Sequence, residues 1–205
     1  MSVIISGAVE GPIDRAVFER LVRLAGAASG PVHVTHGKQG LLRRLQGFNE
    51  AARRAPWLVL VDLDQDEDCA PPFLARHIAR PTRLMVCRVV VRAIESWLLG
   101  DRDRFSQWFQ VPLQRIPRRP DDDPDPKNAV VKLAASSRSK ITRADMVPRQ
   151  QSGRKVGPLY PSRLIEFIHN EGQGWRPLVA ARSSASLSHC LRRLEEVVSA
   201  SDAQP

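Results

Sequence analysis

The chain has 205 residues, of which 42% are hydrophobic and 26% are charged, and its formal net charge is +9 at pH 7. These proportions are typical of a globular protein and exclude the collagen-like, disordered and disulfide-framework classes. The sequence has no apolar run near the roughly 20 residues that span a bilayer, too short an N-terminal apolar run for a signal peptide, and three cysteines without a C-x-x-C pair, so we expect a cytoplasmic protein that does not enter a membrane.

The charge is unevenly distributed along the chain. Residues 1–70 contain 8 basic and 9 acidic residues, whereas residues 131–205 contain 12 basic and 6 acidic residues. A metal-binding site in the first part and a polyanion-binding surface in the last part would explain this difference. The alternative is a general enrichment in arginine, of the kind that a genome of high GC content produces.

Strands and helices alternate from the start of the chain. A β-branched run over residues 3–6 predicts a buried strand, and apolar residues at helical spacing predict a helix over residues 13–28. A second strand is predicted over residues 32–35. A second helix, with arginines on its polar face, is predicted over residues 41–52.

The alternation continues to about residue 110. The apolar run over residues 57–61 predicts a central strand that is buried on both faces. A helix is predicted over residues 72–80, a fourth strand over 83–91, and a further helix from 93 to 99. This order predicts an α/β fold, a Rossmann-like parallel four-stranded sheet flanked by helices, with ligands at the carboxyl ends of the strands.

The pattern changes after residue 110. Prolines punctuate a loop, and residues 138–158 are polar, basic and only weakly periodic. Helices are predicted over residues 127–137, 164–168 and 187–198. The predicted organisation is an α/β core over residues 1–110, a basic, mostly helical extension packed on the core over 111–198, and a frayed tail over 199–205.

A set of acidic residues follows two of the predicted strands. Glu10 and Asp14 come after the first strand, and Asp62, Asp64 and Asp66 come at the end of the third. Because parallel strands end at one edge of the sheet, we expect these carboxylates to converge, and they would repel each other unless a divalent cation lay between them. Oxygen ligands without cysteine or histidine favour Mg²⁺ or Mn²⁺ over Zn²⁺. The alternative is a solvated acidic turn after the third strand.

Two motifs resemble the Toprim domain of topoisomerases, primases and overcoming-lysogenization-defect nucleases: VEGPID at 9–14 and DLDQD at 62–66. Two further stretches are similar to a Toprim-related bacterial family known only as domain of unknown function family 4276: GKQGLLRRL at 37–45 and IESWLLGD at 94–101. The resemblance covers roughly residues 2–170.

The resemblance implies a Toprim-like fold and roles for individual acidic residues. It implies that Glu10 is a metal ligand or a general acid or base, and that Asp62 and Asp64 bind the metal. It gives Asp14 the place of the second catalytic acid and makes Asp66 a further candidate ligand. A cation held in this way can neutralise a phosphodiester and activate water.

Two activities are not expected of this chain. Its single tyrosine, Tyr160, lies in the sequence GPLYP and does not resemble the nucleophile of a topoisomerase. The glycines before Lys38 do not form the phosphate-binding motif G-x-x-x-x-G-K-[ST], so ATP hydrolysis would require a partner protein.

Further acidic residues follow the fourth strand. Glu95 and Asp101 are candidates for an outer shell around the metal. The alternative is that they cap helices while Trp97 lies in the core. The acidic run over residues 121–123 is predicted to be a loop rather than a second metal site.

Several basic residues are candidates for contacts with phosphate. Lys38 lies between two glycines after the second strand, Arg88 lies in the fourth strand, and Arg154 and Lys155 lie in the basic segment over residues 138–155. Such residues neutralise backbone phosphates without reading sequence, and the low aromatic content of 5% argues against extensive base stacking. The alternatives for the segment are a solvated loop and a surface that binds an acidic protein.

Together these features favour a metal-dependent nuclease or other phosphodiester-processing protein, acting on DNA or RNA, in bacterial defence or DNA repair beside an ATPase partner. The first alternative is a non-catalytic binding or sensor subunit of an ATPase-containing complex. A second is a structural or nucleotide-binding α/β protein whose acidic residues cap helices. An oligomer is compatible with all three.

Overall fold

The computed structural model describes residues 2–63, 70–78 and 80–202. Within these residues a single sheet has four strands in the order β2-β1-β3-β4, and all neighbouring strands are parallel. This architecture confirms the predicted α/β fold with a four-stranded parallel sheet flanked by helices. The strands are β1 (Ile4–Val9), β2 (Ala28–Val34), β3 (Trp57–Asp62) and β4 (Met85–Val90).

Ten α-helices lie within the described residues. The first three connect the strands, and the other seven follow the last strand in the chain. Two short 3-10 turns, Leu113–Arg115 and Pro120–Asp122, occupy the proline-rich loop. The helices are α1 (Pro12–Leu24), α2 (Lys38–Ala51), α3 (Ala70–His77), α4 (Ile94–Leu99), α5 (Arg102–Phe109), α6 (Pro126–Ala135), α7 (Lys140–Met146), α8 (Tyr160–His169), α9 (Pro177–Ala180) and α10 (Ala185–Asp202).

The two faces of the sheet pack against different helices, because successive residues of a strand point to opposite faces. In β1, Gly7 faces α1 so closely that a Cβ atom there would lie 2.4 Å from Cε2 of Phe18. Its neighbour Ala8 packs on the other face, against α2 and α3. The cluster on that face includes Leu41, Leu45, Phe48, Val59, Val61, Phe73, Met85, Cys87 and Val89.

The position of each strand in the sheet explains its composition. The central strand β3 is buried on both faces, and Leu58, Val59, Leu60 and Val61 are all at most 1% exposed. The outer strand β2 alternates between exposed and half-buried residues. It begins at Ala28, earlier than the predicted residue 32, because an edge strand tolerates the proline and glycine that suggested a turn.

The chain divides into two compact units. The first comprises Met1–Val91 and Ser186–Pro205, and the second comprises Arg92–Ala185. The boundary predicted at residue 110 therefore falls inside the second unit. The cause lies in α5, where Phe105 and Phe109 pack against Phe167 at ring-centroid distances of 5.8 and 5.4 Å.

The second unit is mostly helical, as the sequence predicts. Its core contains Trp97 and Trp175, both fully buried, and the indole N–H of Trp175 donates a 3.0 Å hydrogen bond to the carbonyl of Trp97. The basic segment contains the unpredicted helix α7, whose first turn is capped by the Ser139 hydroxyl accepting from the backbone N–H of Thr142.

The closing helix α10 belongs to the first unit. Its Arg193 donates to the carbonyl of Arg83, just before β4. The helix continues to Asp202, so residues 199–202 are helical instead of frayed. Among the described residues, no helix combines the length and the apolar character that a membrane crossing requires.

Candidate functional site

The candidate site lies where the direction of the sheet order changes. The chain passes from β1 to β2 on one side of β1, and then returns to place β3 on the other side. In open parallel sheets this switch point leaves a crevice at the carboxyl ends of the strands, where ligands bind. Glu10 follows β1 directly and Asp62 is the last residue of β3, so both flank this point.

A hydrogen bond joins the two acidic motifs. The backbone N–H of Asp62 donates to the Oε1 atom of Glu10 at 2.9 Å, across 52 residues of sequence. Glu10 is half-buried, as is Asp62. The two loops therefore meet through the Asp62 backbone, and the predicted convergence of the carboxylates themselves stays a prediction.

The turn between β2 and α2 contacts the same place. The N–H of Gly37 donates to the carbonyl of Glu10 at 3.1 Å, and Thr35 donates from its N–H and its hydroxyl to the carbonyl of Val9. Gly37 has a φ of +122°, which L side chains rarely adopt, and a Cβ atom on Gly40 would lie 2.7 Å from the Thr35 carbonyl oxygen. The two glycines around Lys38 are thus required by this tight turn.

Lys38 ties the start of α2 to the residues after β3. Its Nζ atom donates to the carbonyl of Leu63 at 3.2 Å and lies 5.7 Å from the centroid of the Phe73 ring. The ammonium group therefore stands at the same edge of the sheet as Glu10 and Asp62. This position fits the predicted phosphate contact, although the lysine also has a structural role here.

Asp14 is buried in the first turn of α1, with 8% of its surface exposed. Gly11 is the N-cap, so Asp14 occupies the third helical position, from which an acidic side chain reaches back to the N-cap. A Cβ atom on Gly11 would lie 3.1 Å from Asp14 Oδ2, which explains the small residue at this position. The buried position of Asp14 in the first turn of α1 is consistent with a structural role for its carboxylate. Its catalytic role stays a prediction.

The remaining acidic residues of the predicted metal site, Asp64 and Asp66, lie outside the described residues. Within residues 2–63, 70–78 and 80–202, no group of three or more histidine, cysteine, aspartate or glutamate side chains could hold a metal. Glu10 and Asp62 supply carboxylate oxygens, the donor type that Mg²⁺ and Mn²⁺ prefer. The metal site stays a prediction that depends on the two acids after Leu63.

Arg88 lies in the middle of β4, two residues before the strand ends. It is half-buried, and its Nε atom is buried without a hydrogen bond. Burial raises the pKa of the Cys87 thiol and of the Cys190 thiol to about 12, and the charge of Arg88 lowers both values. The arginine is therefore close to the two thiols that the structure describes, Cys87 and Cys190, and its predicted contact with phosphate stays a prediction.

Glu95 belongs to the second unit, where it is 1% exposed. The hydroxyl of Tyr160 donates to Glu95 Oε1 at 3.1 Å. Burial and the neighbouring carboxylate raise the pKa of Tyr160 well above its usual value. The only tyrosine of the chain is thus buried and donates its hydroxyl hydrogen to a carboxylate.

Asp101 is fully buried, and its carboxylate accepts hydrogen bonds from two residues of the second unit, Arg176 and Arg104. Its carboxylate accepts two hydrogen bonds from the Arg176 guanidinium, at 2.9 and 2.7 Å, and one from the Arg176 backbone N–H at 2.9 Å. It also caps α5 by accepting from the N–H of Arg104. This pattern matches the capping role that the sequence left open, and Trp97 is in the core as that alternative requires.

Arg154 and Lys155 are exposed in the loop between α7 and α8. A cavity of about 430 Å³ in this loop is lined by Arg154 but not by Lys155. The cavity is also lined by Arg149, which belongs to the basic segment that the sequence assigned to phosphate contacts, and by Ser152, which sequence reasoning missed. Nothing in the spacing of the segment indicated that Arg149 and Arg154 would line the same cavity.

Asp121 has a perturbed carboxyl group and lies in the 3-10 turn Pro120–Asp122 within the proline-rich loop. Burial raises its pKa from 3.8 to about 6, a hydrogen bond from the Ser184 hydroxyl lowers it, and the charge of Asp122 raises it. The folded protein therefore holds a proton that the unfolded chain releases between about pH 4 and pH 6. The stabilising contribution is complete below pH 4 and is lost as the pH rises through 6.

Replacing Asp121 with asparagine is expected to remove this pH dependence. Between pH 4.5 and pH 7.5 the free energy of unfolding of the wild type should fall by about 1 kcal/mol relative to that of Asp121→Asn. The fall is no larger because water screens the partly exposed carboxyl group. Urea unfolding of both proteins at the two pH values measures this difference. Asp103→Asn, at an exposed carboxylate that is not among the causes of the Asp121 shift, is the control. An equal pH dependence in the wild type and Asp121→Asn would contradict the assignment.

Comparisons with protein-family models, with curated proteins and with solved structures found no match. The Toprim resemblance therefore rests on the residues quoted from this sequence.

Proposed function

We propose that the protein is a metal-dependent phosphodiester-cleaving enzyme that acts on nucleic acid. The observation that carries this proposal is the hydrogen bond between the Asp62 N–H and the Glu10 carboxylate at the switch point of the sheet. It holds an acidic side chain from the first loop against the start of the acidic segment after β3. A parallel sheet offers ligands a crevice at this place.

Each residue of the proposed site has a distinct role. Glu10 and Asp62, with Asp64 and Asp66, would hold Mg²⁺ or Mn²⁺, and Asp14 would supply the second acid of the first motif. When bound, the cation would stabilise charge on the phosphodiester and lower the pKa of a water molecule. The hydrogen bond from Asp62 N–H fixes the Glu10 carboxylate, so that little reorganisation accompanies binding.

Lys38 supplies positive charge at the same edge. Its Nζ donates to the Leu63 carbonyl, which limits the positions of the ammonium group. A fixed cation next to a carboxylate site attracts a phosphate group without binding the metal. In the proposed enzyme Lys38 therefore positions the phosphate, and Arg88 is a further candidate for this role.

The direct test is the dependence of cleavage on the cation. Purified full-length protein is incubated with circular DNA and with single-stranded RNA, in EDTA, in Mg²⁺ and in Mn²⁺, and Mn²⁺ binding is measured separately by calorimetry. We expect binding of Mn²⁺ and cleavage of at least one nucleic acid that requires the cation and stops in EDTA. Absence of both binding and cleavage would overturn the proposal.

A different outcome would favour the second function derived from the sequence. If the chain binds Mn²⁺ but cleaves nothing alone, and co-purifies with an ATPase, it acts as a binding or sensor subunit. We place either function in the cytoplasm, in bacterial defence or DNA repair. The two cysteines of the described residues, Cys87 and Cys190, are buried and free, as in a reducing compartment.

A further inference from the structure

The loop between α7 and α8 is closed at its base by backbone contacts. The N–H of Gly157 donates to the carbonyl of Met146 at 2.9 Å, and the N–H of Leu159 donates to the carbonyl of Asp145 at 2.9 Å. A Cβ atom on Gly157 would lie 2.4 Å from the Asp145 carbonyl oxygen, so glycine permits this close approach. The residues between these points, 148–156, form a loop of fixed ends, which we call the basic loop.

The basic loop has a defined internal structure. The N–H of Ser152 donates to the carbonyl of Arg149 at 3.1 Å, and the N–H of Arg154 donates to the Ser152 hydroxyl at 3.3 Å. Gln151 and Gly153 have φ values of +62° and +67°, which bend the chain back. These turns bring Arg149 and Arg154 to the same cavity of about 430 Å³, together with Ser152, Val156 and Pro158.

The arginines of this cavity have no opposing charge. Among the described residues, neither Arg149 nor Arg154 forms an ion pair, and no acidic side chain lines the cavity. The nearest acid in the segment, Asp145, is paired with Arg163 at 3.6 Å. Three further cations of the basic segment are also exposed: Arg138, Lys140 and Lys155.

Some exposed arginines elsewhere in the protein pair with an acid one helical turn away: Arg53 with Glu50, Arg119 with Asp122, and Arg192 with Glu196. Others, such as Arg44, Arg54 and Arg118, form no ion pair within the described residues, so the basic loop is not distinguished by unpaired charge alone. What distinguishes it is that two arginines and a hydroxyl line one cavity without an acidic side chain, an arrangement that an external anion neutralises.

We propose that the basic loop binds the phosphodiester backbone of nucleic acid, with Arg149 and Arg154 on the phosphate oxygens and the Ser152 hydroxyl as a third donor. The proposal rests on the proposed function for the nature of the partner, but it concerns a second place on the chain, a cavity that no acidic side chain lines. Arginine presents a planar fork of donors to phosphate, and an exposed loop contacts a backbone regardless of base sequence. The contact therefore supplies an affinity that depends on the salt concentration but does not require Mg²⁺ or Mn²⁺.

The experiment measures binding in EDTA, where the proposed cleavage cannot occur. Fluorescence anisotropy measures the binding of a labelled DNA duplex of about 20 base pairs and of an RNA of the same sequence. Each is titrated with wild-type protein and with the double variant Arg149→Gln/Arg154→Gln over a series of KCl concentrations. We expect the double variant to bind at least one of them about 10- to 100-fold more weakly at 0.1 M KCl. The slope of log Kobs against log salt should fall by about 1.8 on duplex DNA, the value for two lost phosphate contacts.

The matched control is Arg53→Gln/Arg192→Gln, which changes the net charge equally at two exposed, ion-paired arginines. We expect it to change affinity by less than about threefold, because those cations already face carboxylates. An equal loss in both double variants would overturn the proposal in favour of diffuse attraction. Equally tight binding of a labelled poly-glutamate peptide would overturn it in favour of an acidic protein partner, and failure of the wild type to bind either nucleic acid would also overturn it.

The failures of the two proposals are distinguishable. Binding that requires Arg149 and Arg154, without any metal-dependent cleavage, would leave the basic loop assigned and the enzymatic function rejected. Metal-dependent cleavage with an unchanged KM in Arg149→Gln/Arg154→Gln would support the enzymatic function and reject the role of the basic loop.

Discussion

Replacing Glu10 with glutamine is expected to reduce metal-dependent cleavage by about 10²–10⁴-fold, the range for loss of a group that acts directly in the reaction. The variant should also bind Mn²⁺ more weakly, because an amide is a poorer ligand than a carboxylate for a hard cation. Glutamine keeps an oxygen that can accept the hydrogen bond from the Asp62 N–H. The loops should therefore stay in place while the charge is lost.

The thermal unfolding temperature, Tm, separates the catalytic contribution of the Glu10 charge from the structural contribution of its hydrogen bond to the Asp62 N–H. A hydrogen bond to a charged acceptor is worth about 1 kcal/mol more than a bond to a neutral one, so Glu10→Gln should lower Tm by only about 2–4 °C. The control is Glu50→Gln, which removes the same charge from an exposed residue of α2 that pairs with Arg53. That control should cleave and unfold as the wild type does.

Two results would contradict the assignment of Glu10. Cleavage at the wild-type rate in Glu10→Gln would mean that the carboxylate only supports the Asp62 backbone. Loss of cleavage together with a fall in Tm far beyond that range would mean that the variant had lost the fold of the site. In that case Asp62→Asn, which leaves its own backbone N–H in place, provides the second measurement of activity.

The first half of the fold could be predicted from sequence because its signals are local. The apolar run of β3 and the β-branched start of β1 identify buried strands, and the alternation with helices then requires parallel pairing. The carboxyl-edge rule placed Glu10 and Asp62 together before any contact was known. Their hydrogen bond agrees with that reasoning, because topology alone brings the ends of β1 and β3 together.

The second unit was harder to predict because its contacts join residues far apart in sequence. Phe105 packs on Phe167, and Asp101 binds Arg176 across 75 residues, and neither pairing has a periodic signal. The assignment of Asp101 to an outer metal shell and the boundary at residue 110 both arose from reading local spacing. The cavity of the basic loop depends on two positive-φ residues, Gln151 and Gly153, and a glutamine gives no warning of that conformation.

Replacing Asp101 with asparagine is expected to destabilise the second unit by about 3 kcal/mol. The side chain is fully buried and binds Arg176 through both oxygens, and removal of one partner of such a pair typically costs 3–5 kcal/mol. The lower end applies here because the Arg176 side chain is 40% exposed and water replaces part of what it loses. Urea unfolding followed by tryptophan fluorescence reports mainly on this unit, since three of the four tryptophans, Trp97, Trp108 and Trp175, belong to it and only Trp57 lies in the first unit.

The control for Asp101→Asn is Asp103→Asn, because Asp103 is an exposed residue in the first turn of α5, the helix that Asp101 caps. We expect Asp103→Asn to change stability by less than about 0.5 kcal/mol. A double-mutant cycle with Arg176→Gln isolates the ion pair, and we expect a coupling energy of about 1–3 kcal/mol. A structural role requires that Asp101→Asn keeps its cleavage rate at temperatures where it is folded. Wild-type stability combined with lost cleavage would instead return Asp101 to the shell around the metal that the sequence motif suggests.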